Sequence, residues 1–197
     1  MANHADLSDP ELHEPKGAAA ASSGQVYVSD GAGSGVWTPT GVQIQGWAHY
    51  KDTATEQTFT TTPTKLSING LGSTTTTAYL PSGVANFWDT TADEILPSGV
   101  GDSYLLRLDL PITTVTGSAT VLELQMDISG GASPTTVIVD RQISITAGAA
   151  KTVSVSFGFF SLATFVANNA QLFLSTDANT AGVTAPAVTI QRVSAGS

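Results

Sequence analysis

The chain contains no cysteine, and charged side chains make up only 12% of its 197 residues. Without cysteine, disulfide bonds, thiolate catalysis and cysteine metal sites are all excluded. Sixteen acidic residues outnumber seven Lys and Arg, so the formal net charge is −9. A surface of this sign repels nucleic acid and anionic membranes, and the composition therefore predicts neither as a direct partner.

Long apolar runs are absent as well. No segment approaches the roughly 20 apolar residues of a membrane span. Residues 1–10 lack the basic and apolar regions of a secretory signal, which predicts a protein that is made and used without crossing a membrane. Hydrophobic residues still reach 41%, which is too many for a disordered body.

Four segments between residues 104 and 160 alternate apolar and polar side chains. They are residues 104–112, 120–128, 136–146 and 152–160. In the first, apolar residues occupy every even position, and Arg107 and Asp109 point the other way. A period of two residues is that of a half-buried strand, and Gly-, Ser- and Pro-rich turns separate the segments. The pattern predicts antiparallel strands.

Shorter apolar segments extend the same pattern to both sides. Further strands are predicted at residues 42–50, 57–62, 64–68, 170–176 and 186–193. Residues 79–101 are irregular, and their large apolar groups are expected to close one end of the core. About ten strands joined by such loops indicate an all-β protein, with an antiparallel jelly-roll sandwich over residues 42–197.

The N-terminal residues divide into two parts. The sequence of residues 25–41 predicts a small β-hairpin and linker. Because an isolated two-stranded hairpin is marginally stable, Tyr27 and Trp37 are expected to pack on something beyond the hairpin. Residues 1–24 contain only two sizeable apolar groups, Leu7 and Leu12. This segment is therefore either a solvated tail or an extended arm that lies on another chain.

Two stretches here resemble an N-terminal module of tailed-bacteriophage virion proteins, which are head decoration proteins and head or tail fibre components. They are Leu12-His-Glu-Pro-Lys-Gly-Ala18 and Gly24-Gln-Val-Tyr-Val-Ser-Asp-Gly-Ala-Gly-Ser-Gly-Val-Trp37. The resemblance covers about the first fifth of the chain. It implies a virion structural protein whose attachment end is this segment, with a capsid-binding arm formed by His4, Leu7, Leu12, His13, Glu14, Pro15, Lys16, Tyr27 and Trp37.

The order of short strands followed by long alternating ones resembles the jelly rolls of tumour-necrosis-factor and C1q type, and this implies a homotrimer. Several positions on the outward faces of the predicted strands are apolar, which indicates a subunit interface. These expected interface residues are Leu105, Val121, Ile138, Phe160 and Phe173.

Side chains that carry chemistry are few. His4, His13 and His49 show no metal-ligand spacing, and no serine nucleophile motif is present. Asp93 and Glu94, with Asp89 nearby, form a carboxylate cluster of the kind that cleaves glycosides, and Tyr50, Tyr79 and Trp88 are candidates for a sugar-stacking platform. The simpler reading is solvated charge and core packing, so we expect no catalytic residue, no metal and no cofactor.

Three functions follow from these observations. The first is a capsid decoration, or cement, protein that binds the major capsid protein on the outer surface of the phage head and is assembled in the host cytoplasm. The second is a tail or head fibre or a receptor-binding protein whose jelly roll recognises host glycans. The third is a carbohydrate-active jelly roll that uses Asp93 or Glu94.

Overall fold

The computed structural model describes residues 25–29, 35–39, 45–53, 56–147 and 150–196, and the chain divides into two units at residues 43/44. The first unit contains strands β1 (Gln25–Ser29) and β2 (Gly35–Pro39), which pair in antiparallel fashion as the sequence predicts. Tyr27 lies opposite Trp37, and their ring centroids are 5.5 Å apart in an edge-to-face arrangement. The predicted arm at residues 1–24 lies outside the described residues.

The second unit is built almost entirely of strands. In chain order its elements are β3 (Gly46–Lys51), β4 (Gln57–Phe59), β5 (Thr64–Lys65), β6 (Thr76–Tyr79), β7 (Trp88–Asp89), β8 (Glu94–Ile95), β9 (Ser103–Val115), β10 (Ala119–Asp127), β11 (Val137–Thr146), β12 (Lys151–Phe160), α1 (Ala163–Asn168), β13 (Gln171–Thr176), β14 (Ala181–Val183) and β15 (Ala187–Ser194). Within the described ranges, no helix is long and apolar enough to cross a membrane.

The strands form two main antiparallel sheets. The smaller sheet has the order β11-β10-β13-β5. In the larger sheet β9 is central, and β12 pairs along one of its edges while β14 and β15 pair along the other. Ile112 of β9, for example, lies between Lys151 of β12 and Val183 of β14. Beyond β15 lie β3 and β6, and β4 follows β14. The chain crosses between the sheets from β9 to β10, from β11 to β12 and from β12 to β13, whereas β10 and β11 form a hairpin within the smaller sheet. These crossings are typical of a jelly roll.

The core lies between the two sheets and follows the predicted alternation. Tyr104, Leu106, Leu108, Leu110 and Ile112 on β9 are at most 3% exposed. The even positions of β10 face them from the smaller sheet, at Leu122, Leu124 and Met126. The expected closure of one core end is present too, since Phe87, Trp88 and Ile95 are buried.

Strand β13 departs from the two-residue period because it is buried on both faces. On its outer side Lys65 lies opposite Phe173 and donates to the Ala92 carbonyl at 2.7 Å. Gln171 donates from the same side to Glu94 at 2.7 Å. The β7–β8 segment therefore covers this side, and Phe173 is only 1% exposed. Phe173 points away from the core as expected, but it is covered within the chain and is therefore not exposed for a subunit interface.

A candidate interaction face on the larger sheet

The side of the larger sheet that points away from the core presents three rows of side chains. Register places neighbours across β12, β9, β15, β3 and β6 side by side. The first row is Gly158, Leu105, Gln191, Trp47 and Tyr79; the second is Ser156, Arg107, Thr189, His49 and Thr76; the third is Ser154, Asp109, Ala187 and Lys51. The first row is largely apolar, and the other two are largely polar.

An apolar region that we call the edge patch lies at the β12 end of this face. Leu105 is 45% exposed, Phe160 59% and Leu162 45%. Beside them a groove of about 220 Å³ is lined by Ile138, Val139, Gly158, Phe159, Phe160 and Leu162. In the described part of the chain, β11 pairs only with β10 and β12 only with β9, so the patch also borders two open sheet edges. Exposed apolar surface at an open edge is typical of an association site.

Three of the five expected interface residues meet at the edge patch. Leu105 and Phe160 are exposed there, and Ile138 is half-buried in the groove. Val121 is half-buried on β10, in the other sheet, and lies apart from them. Leu162 was not anticipated, because it follows β12 in a segment without alternation.

A second concavity, which we call the polar basin, occupies the β3 side of the same face. Its volume is about 330 Å³, and it is lined by His49, Lys51, Thr74, Arg107, Asp109, Pro111, Thr152, Ala185 and Ala187. Ala187 lies between Asp109 and Lys51 in the third row, and its small side chain leaves space for the concavity between them.

The loop of residues 69–75 forms one wall of the polar basin. The Gly72 amide donates to the Lys51 carbonyl at 2.8 Å, and the Lys51 amide donates to the Thr75 hydroxyl at 3.0 Å. A Cβ on Gly72 would lie 2.7 Å from the Lys51 Cβ, so only glycine allows the loop to approach β3 this closely.

Charge in the polar basin is arranged around one carboxylate. Arg107 Nε donates to Asp109 Oδ1 at 3.0 Å, and the Ser154 hydroxyl donates to the same oxygen at 2.5 Å. Within the described residues, the Lys51 ammonium and the terminal Arg107 nitrogens have no hydrogen-bond or ion-pair partner. Two cations against one anion give the basin a positive excess in a chain of net charge −9.

His49 lies between these cations and is held by two hydroxyl groups. Its Nδ1 is 2.8 Å from Thr189 Oγ1, and its Nε2 is 3.2 Å from Thr74 Oγ1. Burial lowers the pKa of His49 below 6.5; Asp109 opposes this shift, and Lys51 and Arg107 add to it. The ring is therefore neutral at pH 7, where it offers one donor and one acceptor.

An aromatic pair adjoins the polar basin in the first row. Trp47 and Tyr79 stack with their centroids 4.8 Å apart and their planes 18° apart. Trp47 is 36% exposed and Tyr79 54%. Trp47 and His49 are two positions apart on one strand and point to the same side, so their Cα atoms are about 7 Å apart.

The sugar platform proposed from the sequence is not present in its predicted form. Tyr50 and Trp88 are at most 2% exposed. The Tyr50 hydroxyl accepts from the Phe87 amide at 2.9 Å, and Trp88 Nε1 donates to the Ile68 carbonyl at 3.0 Å. Both side chains close the core, and Tyr79 alone of the three is exposed.

The carboxylates of the predicted cluster accept hydrogen bonds from groups within the fold. Asp89 Oδ1 accepts hydrogen bonds from the amides of Ala92 and Thr91, which lower the pKa of Asp89. Asp93 has a φ of 56° and accepts from the Ile68 amide at 2.9 Å.

Glu94 is engaged in the same way, because its two oxygens accept from Asn169 at 3.0 Å and from Gln171 at 2.7 Å. The three carboxylates thus fix the β7–β8 segment in place. In the described ranges, no three His, Asp or Glu side chains lie close enough together to hold a metal ion.

No protein-family model and no curated protein matches the chain. Among solved structures, the tumour-necrosis-factor protein Eiger from S. frugiperda is 9% identical, with a TM-score of 0.46 over 78% of this chain and 94% of that chain. The PRD1 vertex protein P5 is 15% identical, with a TM-score of 0.45 over 96% of this chain and 91% of that chain. Both TM-scores are below 0.5, and neither likeness carries an inference about what this chain binds.

Proposed function

We propose that this chain is a non-enzymatic structural protein of a phage virion, a decoration protein that binds the major capsid protein on the outer head surface. The observation that carries the proposal is the pair of sequence stretches at residues 12–18 and 24–37, which resemble the attachment module of such proteins. In this proposal the N-terminal arm and hairpin form the attachment end, and the jelly roll is displayed outward.

The exposed side chains of the hairpin support this role. Val26, Val28 and Val36 are 44%, 47% and 66% exposed, and Val28 lies directly opposite Val36. An isolated two-stranded hairpin is marginally stable in water, and one that also exposes three valines gains stability from a partner surface. The major capsid protein is the partner that the resemblance implies.

The edge patch supports self-association, which we propose gives a homotrimer. Burying Leu105, Phe160 and Leu162 against another copy would remove exposed apolar groups and cover two open sheet edges. The three attachment ends of one trimer would then bind the capsid multivalently. A protein that binds only the mature lattice stabilises that lattice by mass action.

The test is to mix the full-length protein with emptied, expanded heads of the source phage and count bound copies. We expect saturation at a fixed ratio to the major capsid protein. Val28→Glu with Val36→Glu should abolish binding, whereas Leu71→Glu, at a 74% exposed loop position of the jelly roll, should not. A few copies confined to the tail or vertices would instead support a fibre or receptor-binding role. Full binding by the double variant would refute attachment through the hairpin.

A further inference from the structure

We propose that the polar basin and the Trp47–Tyr79 pair together form a binding site for an acidic oligosaccharide, a chain of pyranose rings that carries carboxylate groups. The site goes beyond the proposed decoration role and does not depend on it. It combines an aromatic surface, a set of hydroxyl-bonding groups and a cationic end on one sheet face.

The cationic end selects for a carboxylate. The Lys51 ammonium and the two terminal nitrogens of Arg107 are the donors available there, while Asp109 holds Arg107 in place through Nε. Guanidinium and ammonium groups form strong charge-assisted hydrogen bonds with carboxylates. A highly charged polyanion fits poorly, since the basin has an excess of one positive charge and the chain as a whole carries −9.

The aromatic and hydroxyl-bearing parts of the site select for a sugar ring. Tyr79 is 54% exposed beside Trp47 and offers an apolar surface for the C–H face of a pyranose. Thr189 lies in the adjoining row and Thr74 in the neighbouring loop, and their hydroxyls are oriented by the two nitrogens of His49; each hydroxyl keeps a further hydrogen-bonding position that can pair with a sugar hydroxyl. Apolar surface with a few placed polar groups is the usual composition of a small-molecule site.

The spacing of these parts requires more than one ring. Trp47, His49 and Lys51 are successive outward positions on β3, so the Lys51 Cα lies about 13 Å from the Trp47 Cα. A ring that stacks on the aromatic pair therefore leaves its carboxylate short of Lys51. A chain of two or more rings spans the distance.

A second copy of this chain is the less suitable occupant. Covering the polar basin with another subunit would bury Lys51 and the free end of Arg107, which is costly unless the partner supplies matched acceptors. The edge patch lies at the opposite end of β12 from the basin, since Phe160 is eight residues, about 26 Å, along that strand from Thr152, which lines the basin. Association at that edge leaves the basin open.

The test is calorimetric titration of the full-length protein with trigalacturonic acid, compared with its fully methyl-esterified form. We expect saturable binding of the acid and about tenfold weaker binding of the neutral ester. Arg107→Gln and Lys51→Gln should each weaken binding of the acid about tenfold, and the matched control Arg141→Gln, at an exposed position of the smaller sheet, should leave it unchanged. Tyr79→Ala should weaken both ligands alike.

Three results would overturn the proposal. One is the absence of saturable binding of the acid, and another is an equal loss in Arg141→Gln, which would indicate non-specific charge attraction. The third is a change of oligomeric state by light scattering in the Lys51 or Tyr79 variant, which would make the basin a subunit contact. Head binding by the same variants reports separately on the decoration role.

Discussion

Replacing Leu108 with aspartate tests the orientation of β9, on which the assignment of core and outer face depends. Leu108 is fully buried and lies between Val155 of β12 and Val188 of β15. Losing the buried leucine costs about 2–5 kcal/mol. Burial raises the pKa of the new carboxyl group by up to 3–5 units, so the group is largely protonated at pH 7, and this protonation costs about 4 kcal/mol because the unfolded pKa is about 3.9. The sum is comparable to the whole stability of a domain, about 5–15 kcal/mol, so Leu108→Asp should not fold.

Leu105→Asp is the matched control, because it makes the same chemical change on the same strand at a 45% exposed position. It should fold with a near-wild-type thermal midpoint and, if the edge patch is an association site, should shift the protein towards monomer. Near-UV circular dichroism and size-exclusion chromatography with light scattering report the two properties. A soluble, cooperatively melting Leu108→Asp protein would refute the inward orientation of Leu108.

Two further predictions concern polar groups. Asp127 is fully buried, and it accepts hydrogen bonds from Ser129 N and Oγ and from the amides of Thr135 and Thr136 at 2.5–2.9 Å. Burial alone would raise the pKa of Asp127, but these bonds outweigh burial and lower it. Asp127→Ala should therefore lower the free energy of unfolding by about 3 kcal/mol and the melting midpoint by roughly 6–12 °C. The control Asp140→Ala, at an exposed position of β11, should change the midpoint little. Equal midpoints for the two variants in calorimetry would contradict the role of Asp127. The pKa of His49 is lowered from 6.5 in the folded protein, so the unfolded chain binds this proton more tightly than the folded chain does. The contribution of His49 to the free energy of unfolding is therefore fully present above about pH 6.5 and is lost as the pH falls through the folded pKa. The urea midpoint of the wild type should drop more steeply below that pH than the midpoint of His49→Gln, and parallel profiles would show that His49 does not contribute.

The fold was predictable where the information is local. A strand with one buried face shows its orientation in its own residues, as Leu106, Leu108 and Leu110 do, and the pattern survives without knowledge of the partner strand. Phe173 shows the limit of this reasoning. Its outer face is covered by the β7–β8 segment, about 80 residues earlier in the chain, and nothing within residues 171–176 reports that cover.

The candidate site was beyond prediction for a related reason. His49, Arg107 and Thr189 become neighbours only through the register of β3, β15 and β9, which three separate stretches of sequence do not encode individually. Trp47 could have been found, because it alternates with the buried Ala48 and Tyr50. Tyr79 was among the predicted sugar-stacking residues, but its stacking on Trp47 could not be predicted, since its strand has four residues and a register shift where it meets β3.

Positively charged side chains are scarce in this chain, and two of them lie in the polar basin. The chain has seven Lys and Arg, and six lie in the described ranges. Lys65 and Arg192 are committed to the fold, the first through the Ala92 carbonyl and the second through buried Asp102 at 3.5 Å. Of the other four, Lys51 and Arg107 lie in the basin, and Arg141 and Lys151 are exposed elsewhere. In an acidic protein the repulsion of an anion is relieved only where cations are concentrated, so an anionic ligand should be directed to this basin rather than to the surface at large.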